Sequence, residues 1–442
     1  MFLPEEFKTR MQTMLGAEYS AFLQAFSNQD AYTGLRIARP AGRELVLSVL
    51  GDVQPVPWCP DGFYVDKLLL SGTHPYHAAG LVYFQEPSAM CAVEALGVIP
   101  GDRVLDLCAA PGGKATQAGA KLQGRGLLLA NEIIPKRAQI LAENIERCGI
   151  SNCVVSNEKP ERLSTLFPEF FNKIIVDAPC SGEGMFRKEP QAALEWSTAH
   201  THSCAVRQKH ILNHAVKMLA PGGKLAYSTC TFAPCENEGV IDDLLNANPD
   251  LFLTDTNLDC LTPGNSNWVQ TDRNLSQTRR IFPHKQKGEG HFIAVIQKRG
   301  SPAKQPAPIK PNEPPADYRA FEKQFLTRRI TGYFQLFSEH LYCIPLDIQN
   351  LRVIRAGLYL GMCKKGRFEP SHALALAFGK ADFRNTLDFM PDAPEMAAFL
   401  HGETIPCSLQ GWVAVCVNGF PVGWGKASNG ILKNHFPKSL RI

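Results

Sequence analysis

An α/β fold is predicted for the middle of this 442-residue chain, with a smaller α+β segment before it and a basic, β-rich segment after it. Three observations carry the prediction. Between residues 100 and 300, short apolar runs alternate with amphipathic segments, the pattern of strand-helix units around a parallel sheet. Each polar or reactive cluster in that stretch follows the C-terminal end of an apolar run, where open α/β sheets bind their ligands. Residues 301–315 then hold six prolines in fifteen positions, which disfavours helix and sheet alike and reads as an extended linker.

The elements follow in order. Residues 1–75 are irregular, interrupted by Pro55, Pro57 and Pro60, and are expected to form a small α+β cap. The α/β part takes residues 76–300. Arg103 to Leu107 reads as its first strand, followed by the small, glycine-containing stretch Cys108 to Lys114 and a helix. Gly126 to Asn131 is a second strand. The next segment spaces Ala138, Leu141, Ile145 and Cys148 by three, four and three, one helical face that Gly149 caps. Cys153 to Ser156 and Lys173 to Asp177 are further strands. Ala205 to Leu219 reads as a helix ended by Pro221-Gly222-Gly223, Lys224 to Cys230 as another strand, and His291 to Lys298 as the strand that closes the sheet. Residues 316–442 form the C-terminal part.

Composition narrows the class. A 45% hydrophobic chain is neither disordered nor collagen-like, and no apolar run approaches the ~20 residues of a membrane span. The acidic pair Glu5-Glu6 stands where a secretory signal would be basic. Fourteen cysteines without one Cys-x-x-Cys pair argue for reduced thiols in a cytoplasm and against structural zinc, so no metal is expected. The net charge of +4 is unevenly spread: from Ala316 onward 15 Lys+Arg face 10 Asp+Glu, leaving −1 for the preceding residues. A basic appendage suits a polyanion partner, although a solvated surface explains that balance about as well. No protein partner is signalled, and a monomer is expected.

Three clusters hold chemistry. Asp106-Leu-Cys-Ala-Ala-Pro-Gly-Gly-Lys114 has small residues that let backbone N–H groups approach a ligand, yet it is neither Gly-x-Gly-x-x-Gly nor a P-loop, which weakens hydride and phosphoryl transfer. A tight turn that only packs helix on strand would look similar. Asn131-Glu132 ends the next strand, where a carboxylate can hold a ribose diol. Asp177-Ala-Pro-Cys-Ser-Gly-Glu-Gly184 and Ser228-Thr-Cys-Thr231 put Cys180 and Cys230 at strand ends among Ser, Thr and Gly rather than aliphatics, unlike cysteines that serve as small core hydrophobes.

DLCAAPGGK, DAPCSGEGMFRK, STCTFAPCENE and RIFPHKQKGEGHF together closely resemble the Nol/Nop/Sun family of RNA 5-methylcytosine methyltransferases. HPYHAAGLVYFQEPSAM is similar to the family's entry segment, and LRVIRAGLYLGMCKKGRFEPSHALA and GWGKASNGILKNHFPKSLR to the RNA-binding part of its bacterial RsmF-like branch. The resemblance implies a Rossmann-like methyltransferase core, a PUA-like C-terminal part, S-adenosylmethionine as methyl donor, and ribosomal RNA, 16S rRNA of the small subunit, as substrate. A tRNA substrate, or a catalytically silent RNA-binding assembly factor, are the competing readings.

Cytosine C5 is a poor nucleophile until a thiolate adds to C6, after which C5 attacks a methyl group, loses its proton, and the thiol is eliminated. The resemblance implies Cys230 as that nucleophile and Cys180 as the residue promoting elimination; from chemistry alone Cys180 would compete for the first role, and Cys235 is a third candidate. Asp177 is expected on the N3/N4 edge of a flipped-out cytosine, with Lys114 sharing that work. The implied donor site comprises Cys108, Ala109, Ala110, Pro111, Gly112, Gly113 and Lys114, Glu132 on the ribose, Arg137 and Asp177. Asn157 stands where the family often has an Asp that reads the adenine amine. Phosphate contacts are expected from Arg352, Arg355, Lys364, Lys365, Arg367, Lys426, Lys433, Lys438 and Arg441. Trp412 and Trp424 lie among them but read better as core.

Overall fold

The computed structural model describes residues 2–27, 32–66, 70–301 and 309–442; part of the expected linker, 302–308, lies outside the described residues. Strands β1 (Arg103–Asp106), β2 (Leu127–Asn131), β3 (Cys153–Ser156), β4 (Phe171–Asp177) and β5 (Leu219–Thr229) pair in parallel in the spatial order β5-β4-β1-β2-β3. Parallel strands buried on both faces need apolar residues at every step, and successive residues divide accordingly. Leu105, Leu129, Ile174 and Leu225 enter one core, while Val104, Leu128, Ile175 and Ala226 enter the other. Helices α1 (Gly113–Leu122), α2 (Pro135–Arg147), α3 (Pro160–Leu166) and α4 (Thr198–Met218) cover these faces. As the spacing predicts, α2 buries Ala138, Leu141 and Ile145.

Four boundaries differ from expectation. Pro221-Gly222-Gly223 does not follow the helix as a loop: α4 ends at Met218 and β5 starts at once, so the triplet lies inside the strand. An irregularity in the β4–β5 ladder at Phe171/Lys173 accommodates it, and a Cβ on Gly223 would meet the Ala220 carbonyl at 2.8 Å. Secondly, β6 (His291–Lys298) does not close the sheet. It runs antiparallel to β5, with Phe292 opposite Thr229, and Arg279–Ile281 and Thr262–Pro263 continue beyond it.

Thirdly, the N-terminal sheet runs past residue 75, because Val82–Phe84 pairs with Gly34–Ile37. Lastly, Val353–Ala356 leaves the C-terminal part to pair with β3. That docking is tight: Gly149 follows α2 at φ +68°, and the Leu376 carbonyl lies 2.4 Å from where its Cβ would stand.

The C-terminal part otherwise forms a four-stranded and a five-stranded sheet, with Trp412 and Trp424 buried in its core as expected. Its Val413 and Phe399 share a core with Leu35 and Val82 of the N-terminal sheet. The N-terminal helices Glu5–Leu15 and Tyr19–Ser27 instead pack Phe7, Phe22 and Phe26 on Phe186, Phe232 and Phe282. Two of those rings stand in the segments just after Cys180 and Cys230.

Candidate active site

The strand order reverses between β1 and β4, and a crevice at such a switch point, outside the carboxyl ends of the strands, is where open α/β sheets hold ligands. Asp106 ends β1 and Asp177 ends β4, so both clusters open into that crevice. Gly112, at φ +118°, turns the chain from the Cys108 to Pro111 loop into α1, and Lys114 thereby sits in the first turn of the helix.

Lys114 Nζ lies 2.8 Å from Asp177 Oδ2. Burial disfavours the cation, but Asp177 outweighs it and the Lys114 pKa moves up; burial likewise acts against the Asp177 carboxylate, but Lys114, His291 and Ser228 prevail and its pKa moves down. The two groups are an ion pair. Ser228 Oγ, from β5, donates to Asp177 Oδ1 at 2.7 Å, and His291 Nε2 stands 3.8 Å from the same oxygen.

Cys180 and Cys230 come together, Sγ to Sγ 3.3 Å. The hydrogen bond with Cys230, then burial, push the Cys180 thiol well up. Behind them Glu236 is fully buried: it accepts from Ser181 N at 3.0 Å, from the Ser181 hydroxyl, and from Gln208 Nε2 at 2.8 Å. Burial raises its pKa to about 7. Cys235 is half-buried, with its thiol pushed up by burial, and the Sγ–Sγ contact joins the other two candidates without it.

On the other side of the crevice, the Asp106 carboxyl is buried with both oxygens unpartnered, and burial, then Asp177, raise its pKa to about 8. Glu132 Oε1 accepts from Ile134 N at 2.9 Å and Oε2 pairs with Arg137 Nη1 at 3.2 Å, while Arg137 Nη2 donates to the Ala110 carbonyl at 2.8 Å. Arg137 thus ties the loop to the β2 end. Asn157 Nδ2 donates to the Glu132 carbonyl at 2.7 Å, which leaves its amide oxygen as the acceptor.

Among the expected phosphate contacts, Arg355 is a correction: it is buried, pairs with Glu146 at 3.2 Å and donates to the Ile150 carbonyl, so it joins two domains instead. Lys364 pairs with Glu369. Arg352, Lys365, Arg367, Lys426, Lys433, Lys438 and Arg441 are exposed. Among the described residues, one group suited to a metal ion was found, Glu161, His210 and His214 on the α3–α4 surface, apart from this crevice. Sequence reasoning missed Ser228 and His291 as site residues although both stand in quoted motifs; a polar residue at a sheet's carboxyl edge was the available signal.

Four families match the chain in order: the N-terminal domain of 16S rRNA methyltransferase RsmF at residues 3–87, 16S rRNA methyltransferase RsmB/F at 93–297, the RsmF rRNA methyltransferase first C-terminal domain at 320–378, and the methyltransferase RsmF PUA domain at 386–442. Ribosomal RNA small subunit methyltransferase F of Erwinia tasmaniensis is 31% identical over 100% of this chain and 97% of its own length. The Escherichia coli K12 protein of that name is 30% identical over 100% and 97%. Among solved structures, a methyltransferase homolog protein from Pyrococcus horikoshii matches with a TM-score of 0.60 and 28% identity, over 67% of this chain and 95% of that one.

Proposed function

The chain belongs to the RsmF family of 16S rRNA methyltransferases, and from that premise we propose that it methylates C5 of a cytosine in 16S rRNA through a thiolate adduct at C6. It is an RNA methyltransferase with a Rossmann-like core, an N-terminal α+β domain and a PUA-like C-terminal domain, and S-adenosylmethionine is its methyl donor. When bound, that donor supplies an electrophilic methyl group on a sulfonium.

The residues present suit the donor. The orphaned Asp106 carboxyl, the anchored Glu132 carboxylate and the Asn157 amide oxygen supply acceptors for its amines and ribose diol. Residues 108–114 line the same side, and Arg137 holds that loop against Glu132.

Cys230 adds to C6, Asp177 accepts from the N4/N3 edge, and Lys114 stabilises the carboxylate and the charge that builds on the ring. After C5 has taken the methyl group, a general base takes the C5 proton, that electron pair restores the C5–C6 double bond, and the C6–S bond breaks to return the Cys230 thiolate; Cys180 promotes that elimination. The observation that carries the reading is the pair of thiols 3.3 Å apart beside the ion pair of buried Lys114 and half-buried Asp177 at the switch point. On the same reading the protein acts as a monomer in the cytoplasm, and the exposed lysines and arginines of residues 316–442 grip the RNA backbone.

Bisulfite sequencing of 16S rRNA from cells with and without the protein is the test: a cytosine must lose its methyl group in the deletion strain. Cys230→Ala is expected to abolish turnover and covalent trapping, whereas Cys180→Ala accumulates a protein–RNA adduct. The opposite pattern exchanges the two roles.

A further inference from the structure

His291 is 4% exposed, begins β6 one residue before the Phe292–Thr229 pair, and so arrives at the end of β5 that leads into Cys230, with Asp177 3.8 Å away. Its Nε2 is buried and has no hydrogen-bond partner. With no bond to Nε2, the tautomer that carries its proton on Nδ1 leaves Nε2 as an acceptor. Burial, then the Lys114 cation, push the imidazole pKa down, so the ring is neutral and Nε2 carries a free lone pair. Asp177 Oδ1 faces it at 3.8 Å with one lone pair used by Ser228. Two acceptors therefore look at each other across the crevice, neither satisfying the other.

What fits between them is a group with two donors. An sp² amine making N···acceptor bonds near 2.9 Å along N–H directions about 120° apart spans acceptors about 5 Å apart; at the 3.8 Å seen here each bond bends by about 20° and stays within hydrogen-bonding range. The geometry points to His291 Nε2 and Asp177 Oδ1 as a two-acceptor clamp on the exocyclic amine of the target cytosine, which makes His291 the residue that discriminates against uracil. This inference rests on the cytosine-C5 reading of the site. Uracil presents the O4 acceptor at that place, so both protein acceptors would stay buried and unpaired. Sites built to bond a substrate N–H reject analogues that lack it most strongly.

The experiment uses the full chain and two 16S rRNA fragments carrying 5-fluorocytidine or 5-fluorouridine at the mapped position. Fluorine at C5 leaves no proton to remove, so the adduct is trapped. Wild type is expected to trap the cytidine RNA and strongly disfavour the uridine RNA. His291→Phe keeps the bulk and removes the acceptor; it should cut that preference by about 10- to 100-fold while donor binding, read by titration, is unchanged. His291→Asn, which restores an acceptor, should recover part of it. An unchanged preference in His291→Phe overturns the inference. Should that variant fail to fold, His291→Leu against His291→Asn makes the same comparison. If wild type traps neither RNA, the parent reading fails and takes this one with it.

Discussion

Glu236 is the buried carboxyl whose contribution is easiest to isolate. It is fully buried, and burial raises its pKa from 4.5 to about 7, against the lowering effect of its bonds from Ser181 and Gln208. A folded-state pKa above the unfolded value means that the folded chain holds the extra proton. Stability is therefore unaffected below pH 4.5, falls as pH rises from 4.5 through 7, and stays reduced above it. A shift of that size corresponds to ~3 kcal/mol at pH 8.

Glu236→Gln imitates the protonated acid: its amide oxygen takes the two N–H donors, and its NH₂ donates to the Ser181 hydroxyl, which turns to Thr231 at 2.8 Å. The variant is expected to match wild type within ~0.5 kcal/mol at pH 4.5 and to exceed it by up to ~3 kcal/mol at pH 8. Thermal melts of both proteins at the two pH values check this, and the quantity read is the gap between them. Glu236→Ala, which strands those donors, is destabilised at every pH by about 1–3 kcal/mol per group. A gap independent of pH, or a Gln variant less stable than wild type at pH 8, refutes the reasoning and makes Glu236 an ionised hydrogen-bond hub.

Lys114→Met leaves Asp177 without its cation. Because Asp177 is 35% exposed, the cost falls below that of a fully buried broken pair, ~1–3 kcal/mol, but covalent trapping at neutral pH is expected to drop by at least ~100-fold. Phe22→Ala opens the aromatic cluster in which Phe22 meets Phe232 at 5.3 Å; a loss of ~3–5 kcal/mol in melts should come with slower trapping at Cys230 and unaltered donor affinity. Gly149→Ala meets the Leu376 carbonyl and an unfavourable φ, a cost of at least ~1–3 kcal/mol. Limited proteolysis should then release residues beyond the linker faster than in wild type.

Much of the core was readable because its signals are local. Apolar runs of strand length, a 3-4-3 spacing and small residues after a strand each depend on a few neighbouring residues, and β1 to β4 and α2 stand within a few residues of where those signals put them. What escaped prediction depends on contacts between distant residues. Val353–Ala356 joins β3 across about two hundred residues of chain, and no pattern in either strand names the other. Arg355 looked like a phosphate ligand since charge alone says nothing of Glu146 waiting in α2. Pro221-Gly222-Gly223 read as a loop because its strand role depends on an irregularity in the facing ladder.

His291 shows why the most consequential miss is topological. In a wholly parallel sheet every strand brings its C-terminal residue to the ligand crevice, so a reading that searches strand ends finds Asp106, Asp177 and the Thr229-Cys230 step. β6 runs the other way. Its first residue, not its last, arrives at the crevice, which puts a glycine-preceded histidine opposite the nucleophile's strand end while the rest of β6 extends into the core. The direction of one strand thus supplies the site with a group from a segment about sixty residues beyond Cys230, and the Ile281–His291 pairing with the neighbouring strand holds it there. A His291 substitution that altered donor binding and left base preference intact would place that strand end on the donor side of the crevice instead.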